Sequence, residues 1–203
     1  MTFENLLKNK FILLDGGFGT ELIKKGLLPH EDTVNAVFDH PEWVKEIHKS
    51  YIDAGSDIIL ADTFGANAFK LKGAPYTVEE CVNQAVKLAK EAAEGTETLV
   101  ALDVSTTGEL LYPAGNLTFE DAYETFKEVA LCGKKAGVDL VCLETFTDLK
   151  EARIALLAVK ENTDLPVFVT LSFDENGLTM NGSTPSAVAV TLKSLGADAV
   201  GLN

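Results

Sequence analysis

The stretch Gly137-Val138-Asp139-Leu140-Val141-Cys142-Leu143-Glu144-Thr145-Phe146 decides the fold. It holds a glycine turn, an aspartate, an apolar run too brief for a helix, and a polar break. The same order occurs at Gly55-Ser56-Asp57-Ile58-Ile59-Leu60-Ala61-Asp62-Thr63-Phe64 and, cut short, at Gly196-Ala197-Asp198-Ala199-Val200-Gly201-Leu202-Asn203. An apolar run without alternation, bounded by turn signals, reads as a parallel strand buried on both faces. Side chains alternate along a strand, so Leu60 and Asp62 share a face, as do Cys142 and Glu144, and Gly201 and Asn203. Asp62, Glu144 and Asn203 then stand at the carboxyl ends of strands, where α/β folds collect their sites. They read as three points on the rim of one pocket.

Working outward, Phe11-Ile12-Leu13-Leu14-Asp15 reads as a first strand, Leu99 to Asp103 as a third and Pro166 to Ser172 as a fifth. Helices fall between the strands. Pro41 opens one through Tyr51, the capping box Thr77-Val78-Glu79-Glu80 opens another to Glu94, and further helices span 118–136, 148–162 and 185–195. Strict alternation of strand and helix predicts an α/β fold with a parallel sheet. Carboxylates at the ends of strands one, two and four favour a (β/α) barrel of TIM type over an open sheet. A complete barrel commonly needs about 250 residues. Six strands fill this chain, so the expectation is one domain over residues 1–203, a barrel truncated after about six strands.

With 203 residues, 46% of them hydrophobic, the chain can bury one sizeable core. A formal net charge of -14 argues against nucleic acid and anionic membrane as partners. No apolar run approaches the roughly 20 residues of a membrane-spanning helix. Cys81, Cys132 and Cys142 have neither C-x-x-C spacing nor an even count, which fits a reducing, cytoplasmic setting. His30, His40 and His48 read as solvated surface or helix residues. His40 and His48 are eight apart and lack the i, i+4 pairing of a helical zinc site.

Gly16-Gly17-Phe18-Gly19-Thr20-Glu21 follows the first strand. Its glycines let the backbone approach a ligand, and Thr20 or Glu21 can open a short helix. The spacing matches no nucleotide-binding fingerprint. A small anion such as a carboxylate, or a purely structural turn, remains. No lysine lies at a strand end for Schiff-base chemistry, which argues against a lyase or aldolase.

Five motifs in order, Asp15-Gly16-Gly17-Phe18-Gly19-Thr20-Glu21, Asp62-Thr63-Phe64-Gly65-Ala66, Thr107-Gly108-Glu109, Glu144-Thr145-Phe146 and Gly201-Leu202-Asn203, resemble the homocysteine S-methyltransferase family. Within it, the chain looks most like the homocysteine-binding barrel of cobalamin-dependent methionine synthase, from about Phe11 onward. The resemblance implies L-homocysteine as substrate, with Asp15 and Glu144 beside its ammonium. It places the substrate carboxylate against backbone N–H groups around Gly17-Phe18 and Thr63-Phe64. The expected binding set is therefore Asp15, Gly16, Gly17, Phe18, Asp62, Thr63, Phe64, Glu144 and Asn203.

The family implies zinc held by three cysteines, with the homocysteine sulfur as fourth ligand. The first of these cysteines follows the strand-six Asn, here Asn203, and none of Cys81, Cys132 or Cys142 matches a ligand position. No residue is therefore assigned to the metal or to catalysis. The family usually has Asn where this chain has Asp62. Methylcobalamin, a sulfonium or a betaine-type donor all remain open, with methylcobalamin favoured by the resemblance. A non-catalytic amino-acid-binding remnant is the alternative reading. Open sheet edges predict self-association or a completing fragment or domain.

Overall fold

The computed structural model describes residues 3–6, 8, 11–28 and 33–203; His30 lies outside them. The chain enters through a short helix α1 (Phe3–Leu6), then α2 (Phe18–Lys25), a 3₁₀ turn (Thr33–Asn35), α3 (Ala36–Asp39) and α4 (Pro41–Asp53). From there strand and helix alternate: β1 (Ile58–Leu60), α5 (Val78–Ala93), β2 (Leu99–Val104), α6 (Phe119–Ala136), β3 (Leu140–Phe146), α7 (Leu149–Asn162), β4 (Val167–Leu171), α8 (Pro185–Ser194) and β5 (Ala199–Leu202). The five strands form one parallel sheet in sequential order.

The repeat that flags the strands also sets their pairing. Gly55, Gly137 and Gly196 lie at the ends of α4, α6 and α8 with φ of +103°, +88° and +90°, a region that L side chains rarely adopt. Two residues on, each aspartate reaches the neighbouring strand. Asp57 Oδ2 accepts the Leu13 N–H at 2.8 Å, Asp139 Oδ2 the Val100 N–H at 2.7 Å, and Asp198 Oδ2 the Val167 N–H at 2.8 Å. Lys90 and Lys160 pair with Asp139 and Asp198 at 2.7 and 3.2 Å. Replacing Asp139 with Ala leaves the N–H of buried Val100 without this acceptor. The expected loss is about 2 kcal/mol in urea unfolding, with Asp139→Asn, which keeps an acceptor oxygen, losing less. Equal losses in the two variants would remove the role of its acceptor oxygen at the Val100 N–H.

From β1 to β3 both faces of the sheet are largely covered, as the unalternating apolar runs require, whereas β4 alternates buried with half-buried residues and β5 runs from half-buried to exposed. Ile59, Val100, Leu102, Val141, Leu143, Val169 and Leu171 belong to the large core that includes the helices. Ile58, Leu99, Ala101, Leu140 and Cys142 form a second, smaller cluster with Leu6.

The first expected strand is reduced to a single parallel bridge, Leu14 to Ile58. Carboxylates replace ladder bonds at its two ends: Asp57 takes the Leu13 N–H, and Asp15 Oδ2 takes the Leu60 N–H at 2.9 Å. Phe11 and Leu13 stay exposed beside it. Two further expectations need correcting. Helix α2 begins at Phe18 rather than at Thr20 or Glu21, because the Thr20 hydroxyl turns back to donate to the Gly17 carbonyl at 2.9 Å. His48 is fully buried on the core face of α4 against Phe18, with ring centroids 4.8 Å apart, whereas His40 caps α4 and stacks on Trp43 at 3.9 Å. Among the described residues no helix is long and apolar enough to cross a membrane.

Candidate functional site

The carboxyl ends of the strands open into a cavity of about 500 Å³. Of the expected binding set, Asp15, Gly16, Gly17, Phe18, Asp62, Phe64, Glu144 and Asn203 line it. Thr63 does not. Its N–H is spent on the Ala61 carbonyl at 2.7 Å, and its hydroxyl exchanges hydrogen bonds with the backbone of Asp103, donating at 2.7 Å and accepting at 3.0 Å. Thr63 thus ties the end of β1 to β2 from behind the wall.

Asp103 lines the cavity and was absent from the expected set. The signal was present: Leu99-Val100-Ala101-Leu102-Asp103 is another apolar run ending in a carboxylate. It pairs in register with Cys142 on β3. Thr33 and Thr145 also face the space, the first from a segment without strand or helix periodicity.

Each wall has a local cause. At Gly16 a Cβ would lie 3.0 Å from the Tyr51 hydroxyl oxygen, so glycine lets α4 close against the loop. The same Tyr51 hydroxyl donates to the Gly17 carbonyl at 3.3 Å. Gly17 then caps α2 without a side-chain bond, leaving the helix's amino end, at Phe18 and Gly19, beside the cavity. On β3 the register shifts between Leu143 and Phe146, and Thr145 there has φ +59°, a strained value for a β-branched residue. Asn203 holds it: its Oδ1 accepts the Thr145 N–H at 3.2 Å, and its Nδ2 donates to Thr145 Oγ1 at 3.1 Å. The clamp fixes the strand beside Glu144.

Four carboxylates thus share one space. Burial pushes Asp15 up to about 7, with the Glu144 charge adding to the rise and the Leu60 N–H opposing it. Burial pushes Asp62 up to about 8, partly offset by a hydrogen bond from Thr33. Asp103 is held well above the usual carboxylate range by burial and then by Glu144, Asp15 and Asp62. Burial raises Glu144 as well. Oδ1 of Asp15, Oδ2 of Asp62 and Oδ1 of Asp103 are buried with no hydrogen-bond partner. A cavity built this way favours a cation, which restores the charge-paired state that burial removes.

The cysteines do not fit a three-thiolate metal site. Cys81 lies on α5, Cys132 on α6 and Cys142 on β3, and among the described residues the one cluster of three potential ligands, Asp103, Cys142 and Glu144, contains only Cys142 of them.

Sequential strand–helix units with an acidic cavity at the strand ends define an α/β protein whose site is built from βα loops. A family model described as homocysteine S-methyltransferase matches residues 12–203, and the chain belongs to that family. It is 34% identical to zebrafish (Danio rerio) betaine–homocysteine S-methyltransferase 1 over 98% of this chain and 50% of the relative. It is 30% identical to the rat (Rattus norvegicus) S-methylmethionine–homocysteine S-methyltransferase BHMT2, over 98% of this chain and 53% of that protein. The chain therefore spans about half the length of these relatives. The metallated form of the homocysteine methyltransferase MmuM from Escherichia coli superposes with a TM-score of 0.85 at 21% identity, covering 98% of this chain and 76% of that one. That likeness concerns the fold.

Proposed function

We propose that this chain carries the homocysteine-binding site of an S-methyltransferase, on a sheet of (β/α) barrel type. One observation carries the reading: Asp15 and Glu144 face the same cavity as the amino end of α2, which no side chain caps. An α-amino acid presents an ammonium and a carboxylate on one carbon. The two acids suit the ammonium, and the N–H groups of Phe18 and Gly19 suit the carboxylate. Asp62 and Asn203 complete the wall, Asn203 through its hold on Thr145.

Methyl transfer then joins the homocysteine sulfur to the methyl carbon as the donor's bond to that carbon breaks, the sulfur's proton having left. The relatives named above support a cationic donor, betaine or S-methylmethionine, over methylcobalamin, and an acidic cavity attracts such an onium group. When bound, zinc would supply a stabilised thiolate nucleophile. The cysteines of this chain do not converge to hold it, so no step is derived through it. The exposed Phe11, Leu13 and Leu202 beside the sheet edges support association with a second copy or a completing segment.

Titrating L-homocysteine into the chain by calorimetry tests the site. Saturable binding is expected, weakened about thirtyfold by Asp15→Asn, which corresponds to losing about 2 kcal/mol from a charged hydrogen bond. Absence of binding, or equal binding by the variant, would overturn the assignment.

A further inference from the structure

We propose that Asp103, Cys142 and Glu144 form a divalent-cation site of one thiolate and two carboxylates, separate in its ligands from the three-cysteine site that the resemblance implies. One ligand atom from each lies within 4.8 Å of the other two. The strands impose this closeness. Asp103 and Cys142 are direct partners in the β2–β3 register, and Glu144 follows Cys142 by two residues on the same strand.

A second observation is independent of the clustering. Asp103 is 8% exposed, lines the cavity, and leaves Oδ1 without any hydrogen-bond partner. A buried carboxylate oxygen left in that condition is costly, and a cation removes the cost. Asp62, 4% exposed, lines the same cavity with its Oδ2 equally unpartnered.

The ligand types select the metal. A thiolate disfavours Mg²⁺ and Ca²⁺, which take oxygen, and suits Zn²⁺ or Co²⁺. Tetrahedral coordination at about 2.0–2.3 Å places ligands about 3.3–3.8 Å apart, so atoms within 4.8 Å of one another need to draw together by at most about 1.5 Å. Asp103 and Glu144 line the cavity, Cys142 lies buried behind them, and three protein ligands leave a fourth position for water or a small molecule. On binding, the Cys142 S–H bond is replaced by a sulfur–metal bond, and the proton passes to solvent.

Cobalt reports the sulfur ligand directly. Co²⁺ is titrated into the reduced, homocysteine-free chain and followed by absorption. One equivalent is expected to saturate a near-ultraviolet thiolate-to-cobalt charge-transfer band, and Zn²⁺ should abolish it by displacement. Cys142→Ser should lose the band, whereas Cys81→Ser with Cys132→Ser should keep it. Asp103→Asn should weaken Co²⁺ by about tenfold or more, since even outer-shell losses cost that much. No saturable band in the unaltered chain overturns the proposal whatever the variants do. So does a band that survives in folded Cys142→Ser. Glu144 is shared with the ammonium site proposed above, so a bound metal competes with the ammonium for it; homocysteine binding is measured separately without metal, and failure of either assignment leaves the other standing.

Discussion

Asp62→Asn is expected to make the chain more stable, by a margin that grows as the pH rises. Asp62 is buried beside β1 with one oxygen unpartnered, and burial pushes it up to about 8 from the usual 3.8. A carboxyl group whose folded value lies above its unfolded value binds more protons when folded. Its contribution is therefore fully present below about pH 4 and lost as the pH climbs to about 8. The gap of about 4 units, at about 1.4 kcal/mol each, sets a ceiling of about 5.6 kcal/mol. Local opening and water entry should hold the measured figure to about 3 kcal/mol, or about 10 °C in Tm for a chain of this length. Asn has nearly the same shape, can still accept from Thr33, and carries no charge to bury. It also removes a charge that raises Asp103 and Cys81. Urea unfolding at pH 4 and pH 8 decides the matter. The two proteins should be nearly equal at pH 4 and well separated at pH 8. A pH-independent gap, or a less stable variant, would mean that the Asp62 charge is not what the fold carries there. An aspartate at this position fits a cavity that gains from binding a cation.

The sheet was legible because its signals are local. Gly-x-Asp before an apolar run marks β1, β3 and β5 through the glycine's positive φ and the aspartate's bond to the neighbouring strand. The capping box at Thr77 and the caps at Thr118, Asp148 and Thr184 all form as their residue types require. The first strand was harder to read. An apolar run states that a segment can pair but not how much partner it will find, and Leu14 makes only a single bridge.

Of the residues that line the cavity, the strand-end rule reached Asp15, Asp62, Glu144 and Asn203. Applied evenly, it would also have found Asp103. Thr145 is different. Its φ of +59° accompanies a register shift between β3 and β4 and the clamp by Asn203, 58 residues away in sequence, and no local pattern encodes either. Thr63 failed as a lining residue for a similar reason, since its backbone and hydroxyl are committed to Ala61 and Asp103.

His48 shows the remaining kind of misreading, and its burial predicts a second large effect. It follows Val44 by four residues on the apolar stripe of α4, so periodicity placed it in the core although its chemistry suggested solvent. Both ring nitrogens are buried without a partner, Phe18 stands against the ring, and burial alone lowers its value from 6.5 to about 4. No charged group figures in that shift. The folded state keeps the ring neutral while the unfolded chain protonates it below about pH 6.5. Stability from this group is therefore complete above pH 6.5 and lost as the pH falls to about 4, by about 3 kcal/mol. Asp15 and Asp62, with raised values, act the opposite way over the same range, so the total curve of one protein conceals each trend. Comparison with His48→Leu separates them, because the carboxylates are common to both proteins. The leucine variant should match the parent or slightly exceed it at pH 7, where it removes two unsatisfied nitrogens, and gain a further 3 kcal/mol or about that by pH 4. A difference that stays flat between pH 7 and pH 4 would mean that the ring reaches water or a partner in solution. The contact of α2 with α4 beneath the Gly16-Gly17 loop would then be looser than its packing implies, and the cavity floor with it.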